Sequence, residues 1–213
     1  MDYEDLRNLM VERQLIPRGI SDEKVLSAFR KVPRHEFVPD EQKDYSYDDH
    51  PLPIGNSQTI SQPYIVALMT ECLGIKGGEK VLEVGSGSGY QAAILRELGS
   101  KVYTIERIEH LAKTCRKTLI GLGYSDVSVV IGDGSLGYVE ESPYDGIIVT
   151  CAAPKLPDSY IGQINEGGRI VIPIGSRHSQ IMTVVTKLDK KLEIKQISGC
   201  VFVPLVGKDA WGI

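Results

Sequence analysis

No C-x-x-C pair occurs in this chain; its four cysteines stand far apart at Cys72, Cys115, Cys151 and Cys200. Scattered thiols of this kind usually behave as small apolar groups, and Cys72 and Cys115 fall on apolar helical stripes. Histidine is equally sparse: His35, His50, His110 and His178 show no metal-ligand spacing, so no metal site is expected. A block of Lys and Arg is missing too, and the net charge is −4. Without a basic face there is no electrostatic footprint for a phosphate backbone, which argues against DNA or RNA as a partner. No stretch approaches the roughly 18 uninterrupted apolar residues of a membrane span. The acidic start, Met1-Asp2-Tyr3-Glu4-Asp5, leads into no apolar run and carries no secretory signal. The expectation is a soluble, cytoplasmic monomer without membrane contact.

What is present is ordinary globular material, 42% hydrophobic and 24% charged in 213 residues, enough for one continuous core. One domain over 1–213 is expected, with a helical cap in 1–75 and an α/β core in 76–213. In the cap, Leu6, Leu9 and Met10 form a short helical stripe that ends before Pro17. Ser21 reads as the start of a second helix, with Ile20 and Val25 placed as a hydrophobic staple. Val25, Phe29 and Val32 continue its apolar face until Pro33. Residues 39–57, rich in Pro, Asp, Tyr and Gly, read as a long loop. Ser61 reads as the cap of a third helix, with Pro63 in its first turn and Ile65, Leu68, Met69 and Cys72 as its buried face.

Beyond Gly77-Gly78 the pattern alternates. Strands are expected at 80–84, 101–106, 127–131, 146–150 and 169–174, with helices at 90–98, 108–119 and 158–164 between them. Apolar strands alternating with helices imply a mostly parallel sheet covered on both faces. Residues 180–187 and 191–199, joined by Leu188-Asp189-Lys190, read as an antiparallel hairpin at one edge.

Chemistry concentrates first at Leu82-Glu83-Val84-Gly85-Ser86-Gly87-Ser88-Gly89-Tyr90, a glycine-rich turn between a strand and a helix. Glycines let the chain turn tightly and bring backbone close to a cofactor, and the following helix N-terminus favours a carboxylate. About 20 residues further on, where a ribose-binding acid is placed in nucleotide folds, stands Glu106. A strand-end carboxylate facing a pocket supports little of the core, so its loss is expected to leave folding nearly unchanged. The third glycine comes one residue too early for the dinucleotide pattern G-x-G-x-x-G. Instead, acidic-x-Gly-x-Gly-x-Gly resembles the first motif of S-adenosylmethionine-dependent methyltransferases. Asp133-Gly134, after the third strand, lies where that group places an acid on the adenine amino group.

The acceptor is the second question. After the fourth strand the chain reads Thr150-Cys151-Ala152-Ala153-Pro154, without the Asn/Asp-Pro-Pro-aromatic motif of amine methylation. A carboxylate acceptor is ionised at neutral pH, with a reference pKa near ~4, and needs positioning rather than a general base. Hydroxyl and amide donors suited to that crowd Asn56-Ser57-Gln58-Thr59-Ile60-Ser61-Gln62-Pro63. Helix capping by Ser61 is the competing reading of this cluster.

The segment Gln58-Thr59-Ile60-Ser61-Gln62-Pro63-Tyr64 resembles the signature of the protein-L-isoaspartate O-methyltransferases. So do Glu83–Tyr90, Glu106-Arg107, Gly132–Tyr138, Tyr144-Asp145, Ala152-Ala153-Pro154, Gly167–Gly175 and Phe202–Gly207. The similarity runs from about Val11 to Gly207 and implies a Rossmann-like methyltransferase sheet with an N-terminal helical cap. It implies S-adenosyl-L-methionine as cofactor, and isoaspartyl-containing proteins and peptides as partners. The methylated carboxylate would collapse to a succinimide, whose hydrolysis partly restores normal aspartate. The resemblance also implies Ser61 as the active-site hydroxyl, with Thr59 binding cofactor or substrate. Glu83, Gly85, Ser86, Gly87, Gly89, Glu106, Arg107, Asp133 and Gly134 are then the cofactor-binding set. Relatives often carry His where this chain has Tyr64, so no role of that histidine is carried over. An exchanged order of the last two strands is a further family trait that periodicity does not reveal.

Three alternatives remain open at this level. One is a methyltransferase for another carboxylate or a small metabolite. A second is an NAD-dependent oxidoreductase, disfavoured by glycine spacing. The third is a binding protein that keeps the pocket without the chemistry.

Overall fold

The computed structural model describes residues 2–189 and 191–212. A seven-stranded sheet organises it, built from β3 (Lys80–Val84), β4 (Lys101–Glu106), β5 (Ser128–Ile131), β6 (Tyr144–Val149), β7 (Ile164–Gly175), β8 (Gln180–Leu188) and β9 (Lys191–Cys200). Their order is β5-β4-β3-β6-β7-β8-β9. Pairings from β5 to β7 are parallel, while β7–β8 and β8–β9 are antiparallel. The last two strands therefore lie in chain order as an edge hairpin. Strand order reverses between β3 and β6, which leaves a crevice beyond their C-terminal ends, where ligands bind in open α/β sheets.

Period-two alternation divides the core between the two sheet faces. Leu82, Val84, Ile105, Ile147 and Val149 pack on one side with Tyr144, Tyr160 and Leu205. Val81, Val102, Ile148 and Val171 pack on the other, in a cluster that continues into cap residues Met10, Leu15, Phe29 and Phe37. Each large apolar side chain sealed this way contributes roughly 1.5–3 kcal/mol relative to exposure. Glu83 has the parity of Val81, so it faces the cap side and pairs across the ladder with Thr104.

The first helical stretch of the cap starts with α1 (Tyr3–Met10), runs on through tighter and wider turns past Pro17, before which the sequence pattern would end it, and stops at Gly19 in the left-handed region (φ 95°). Helix α2 (Glu23–Lys31) begins one residue later than the sequence suggested. Its cap is Asp22, whose carboxylate accepts the N–H groups of Lys24 and Val25. Ser21 instead gives its backbone N–H to Glu71. Ile20 and Val25 are both buried, but the shift removes Ile20 from the staple position. Val32 closes α2 in an extended conformation, as a residue before proline prefers.

Residues 39–57 are not a plain loop. They hold a 3-10 segment over Asp40–Tyr45 and the strand β1 (Leu52–Gly55), which pairs with β2 (Gln58–Ile60). The hairpin turns on Asn56 and Ser57, both at positive φ (52° and 56°), the conformation that two-residue hairpin loops need. Helix α3 (Pro63–Leu73) is capped at Gln62, with no side-chain capping bond. Its deepest face is Val66, Ala67, Met69, Thr70 and Leu73, while Ile65, Leu68 and Cys72 are only partly buried. Apolar residues surround this helix, so spacing alone fixed its buried face poorly. The remaining helices are α4 (Tyr90–Glu97), α5 (Glu109–Gly121) and α6 (Asp158–Gln163). Strand β7 starts well before the expected Arg169.

Candidate functional site

The crevice at the strand-order reversal is where the glycine loop lies. Gly85, Gly87 and Gly89 all have positive φ (96°, 51° and 92°). At Gly85 space is as decisive as φ: an added Cβ would sit 2.5 Å from Thr150 Oγ1. Gly89 caps α4, and a Cβ there would meet Cys115 Sγ at 2.9 Å. The backbone can thus approach a ligand while the helix packs tightly behind it.

Glu106 closes β4 and is nearly buried, at 8% exposure. Its Oε2 accepts the N–H of Gly87 at 3.1 Å and its Oε1 that of Ile108 at 2.9 Å. One carboxylate therefore braces the glycine loop and the entry to α5, with lone pairs left over for a diol. A cavity of about 130 Å³ opens here, lined by Gln58, Thr59, Gly85, Gly87, Glu106, Arg107 and Gly134, with Thr150 and residues 203–206 as the opposite wall. Arg107 is exposed at its rim.

A second, smaller cavity lies on the cap side of the loop, bordered by Thr59, Ser61, Glu83, Ser86, Gly87, Tyr90, Gln91 and Thr150. Glu83 is fully buried, and neither of its carboxyl oxygens has a hydrogen-bond partner among the described residues. Burial pushes its carboxyl up to about 8, and the nearby Glu106 adds to the shift. Thr104 itself donates to Ser86 Oγ at 2.6 Å, which fixes the Ser86 hydroxyl at the cavity wall. A wide groove runs outward from the same point, past Arg18, Thr59, Ser61, Gln62, Tyr64, Thr150 and residues 198–203. Thr59, Ser61 and Thr150 border both the inner cavity and this open groove.

Most of the residues expected at the site converge. Ser61, Thr59, Glu83, Gly85, Ser86, Gly87, Glu106, Arg107 and Gly134 all line these cavities. Gly89 sits one layer back, as the cap of α4 packed against Cys115 and Leu119 of α5. Asp133 is the exception. Its Oδ1 accepts from the N–H and hydroxyl of Ser135, and its Oδ2 accepts the N–H of Lys208 at 2.9 Å. Burial would raise its pKa, but these hydrogen bonds prevail and hold it below the usual aspartate value. The carboxylate clasps the C-terminal segment that walls the cavity, and it does not line the cavity itself.

Sequence reasoning missed Thr150, whose hydroxyl donates to Gly85 O at 2.6 Å, and the wall at 203–206. The available signal was the polar residue at the end of β6, beside the glycine loop. Ser61 is displaced from the role of helix cap, since Gln62 holds that position. Cys151 and Cys115, near the two acids, are buried, and that burial pushes their thiols up, so neither serves as a thiolate nucleophile. Among the described residues no cluster of His, Cys, Asp and Glu could hold a metal ion, and no helix is long and apolar enough to cross a membrane.

Sheet order, glycine loop and strand-end acid together define a Rossmann-like methyltransferase fold. The family model described as protein-L-isoaspartate(D-aspartate) O-methyltransferase matches residues 6–210. A protein-L-isoaspartate O-methyltransferase of Geobacter metallireducens is 51% identical over 213 residues, covering 100% of this chain and 99% of the relative. One from Syntrophotalea carbinolica is 50% identical, covering 99% and 98% of the two chains. A solved protein-L-isoaspartate O-methyltransferase superposes with a TM-score of 0.86 at 30% identity, over 97% of this chain and 67% of that one. A Plasmodium falciparum structure described as a putative member, in complex with S-adenosyl-L-homocysteine, shares the fold with a TM-score of 0.82 at 23% identity, over 93% and 97% of the two chains. The chain belongs to the protein-L-isoaspartate(D-aspartate) O-methyltransferase family.

Proposed function

We propose that this protein transfers a methyl group from S-adenosyl-L-methionine to the carboxylate of L-isoaspartyl residues in damaged proteins and peptides. The observation that carries the reading is the position of Thr59, Ser61 and Thr150, at the junction of an inner polar cavity and a groove open to the surface. A donor held inside and an acceptor arriving from outside would meet there.

The residues present fit the cofactor. Glu106 offers acceptors for a ribose diol. Glu83, buried with two orphaned oxygens, suits the cofactor's ammonium group, and the N-terminus of α4 suits its carboxylate. When bound, S-adenosylmethionine supplies an electrophilic methyl on a sulfonium sulfur. The acceptor carboxylate supplies the electron pair: a carbon–oxygen bond forms as the carbon–sulfur bond breaks. No proton moves in that step, so the protein need only orient the oxygen and exclude water. Ser61 is assigned the orienting hydroxyl, with Thr59 beside it.

Cap and core act in this reading as one domain. The site draws on one chain, so a monomer suffices. Four free cysteines suit a reducing compartment such as the cytoplasm, and the acidic balance gives nucleic acid no purchase.

The test is incubation with methyl-labelled S-adenosylmethionine and an isoaspartyl peptide. Base-labile label on the peptide is expected. Cofactor binding without any label on the peptide would sink the proposal.

A further inference from the structure

Behind the site, and outside every cavity described so far, lies an arginine with no exposed surface. Arg34 follows Pro33 in a short 3-10 turn, Arg34–Phe37, and is 0% exposed. Its Nε donates to Ser46 O at 2.7 Å, and its Nη2 donates to Ser61 O at 2.8 Å. The guanidinium carbon lies 5.0 Å from the ring centroid of Tyr90, the residue that opens α4 after the glycine loop. Nη1 finds no partner among the described residues. Desolvation lowers the pKa to about 10, which still leaves the group charged at neutral pH.

Burying a cation without a paired carboxylate is expensive, and an apolar side chain of similar size would fill the space at lower cost. Geometry accounts for what the charge does. One planar guanidinium, a fork that a single ammonium does not reproduce, joins the end of the 3-10 segment before β1 to the backbone just after β2. It thereby ties the segment leading into the hairpin that carries Thr59 to the hairpin's exit, where it grips Ser61 by its carbonyl. The Tyr90 ring beneath it ties that clamp to the floor of the inner cavity.

We infer that Arg34 is a positioning residue for methyl transfer, which fixes the Ser61 backbone so that its hydroxyl meets the acceptor oxygen in line with the cofactor's methyl. The inference rests on the function proposed above. Arg34 lines none of the cavities described above and acts through the backbone that it holds at Ser61. Misplacement of a reacting group by about 1 Å can cost 10²-fold in rate, so a slackened clamp shows in turnover before it shows in binding.

Arg34→Lys and Arg34→Met are compared with the parent for thermal midpoint, S-adenosylhomocysteine affinity, and kcat and KM with an isoaspartyl peptide. In Arg34→Lys, kcat per folded molecule is expected to fall at least about tenfold, with cofactor affinity changed less than about threefold. Arg34→Met is expected to lose more turnover than Arg34→Lys, so that the lysine restores part of it. Unchanged kcat per folded molecule in Arg34→Lys, with only the midpoint lowered, would overturn the inference and leave a structural brace. Arg34→Lys decides the matter if Arg34→Met does not fold. Amide exchange over residues 57–62 is the second readout and needs no substrate. Faster exchange in Arg34→Lys supports the clamp, and unchanged exchange contradicts it. A parent protein that methylates no isoaspartyl peptide defeats the proposed function, while the exchange result stands separately.

Discussion

Asp133 and Lys208, far apart in the chain, are joined by a hydrogen bond from the Lys208 backbone N–H to the Asp133 carboxylate at 2.9 Å. The bond pins the segment after residues 203–206 onto the loop that follows β5, and so closes the wall of the larger cavity. Gly207 sits between them: any Cβ there would collide with Asp133 Oδ1 and Ser135 Oγ. Gly207→Val is therefore expected to displace the wall and weaken S-adenosylhomocysteine binding by roughly 1.5–3 kcal/mol, the scale of hydrogen bonds to a charged group. Calorimetric titration checks this; unchanged affinity would show that the wall does not depend on the clasp.

Glu106→Gln should weaken cofactor binding by a similar ~1.5–3 kcal/mol. The structure revises the expectation for folding. The carboxylate accepts N–H groups from Gly87 and Ile108 on separate oxygens, and an amide replaces one acceptor with a donor. A loss of about 1 kcal/mol in stability should accompany the binding defect, measured by denaturant unfolding without ligand.

Glu83 makes stability depend on pH in a direction opposite to most carboxylates. Its folded pKa is raised to about 8, so between the ordinary glutamate range and about pH 8 the native state holds a proton that the unfolded chain has released. Stability then falls as pH rises through that window. Glu83→Gln removes the penalty. The variant should gain midpoint relative to the parent as pH increases from 5 to 9 (about the span of the two pKa values), yet bind cofactor more weakly. A parallel pH dependence in the two proteins would contradict a neutral, buried Glu83.

Ser61→Ala should lower turnover far more than cofactor affinity. Gln62 rather than Ser61 caps α3, so the loss of about 1 kcal/mol expected for removing a helix cap should be absent from unfolding curves. With no general base in the step, turnover of the parent at saturating substrate should lack a basic limb assignable to Ser61 and should fall in acid as the acceptor carboxylate protonates. A stability loss of cap size with unchanged rate per folded molecule would restore the capping role.

The sheet was legible because most of its central strands are apolar runs buried on both faces, and β3, β4 and the edge hairpin emerged almost residue for residue. Errors arose where two residues compete for one local role. Ser and Asp both cap helices, and at Ser21-Asp22 the contact of Ser21 with the distant Glu71 goes with the cap falling to Asp22. Ser61 and Gln62 present the same ambiguity before Pro63. Asn56-Ser57 lacks the glycine that usually signals a tight hairpin turn, so β1 and β2 passed as loop. The glycine loop, Glu106 and the Thr59–Ser61 stretch were readable from local pattern. Thr150, Arg34 and the Asp133 clasp were not, because each works through contacts between segments distant in sequence.

The most direct measurement is competition for labelled methyl between an isoaspartyl peptide and its aspartyl isomer at equal concentration. The two carboxylates differ in position by one methylene, and catalysis by orientation is sensitive to displacements of about 1 Å. The account predicts label on the isoaspartyl isomer by a margin of at least about 10²-fold in kcat/KM. Equal labelling of the two isomers would contradict it.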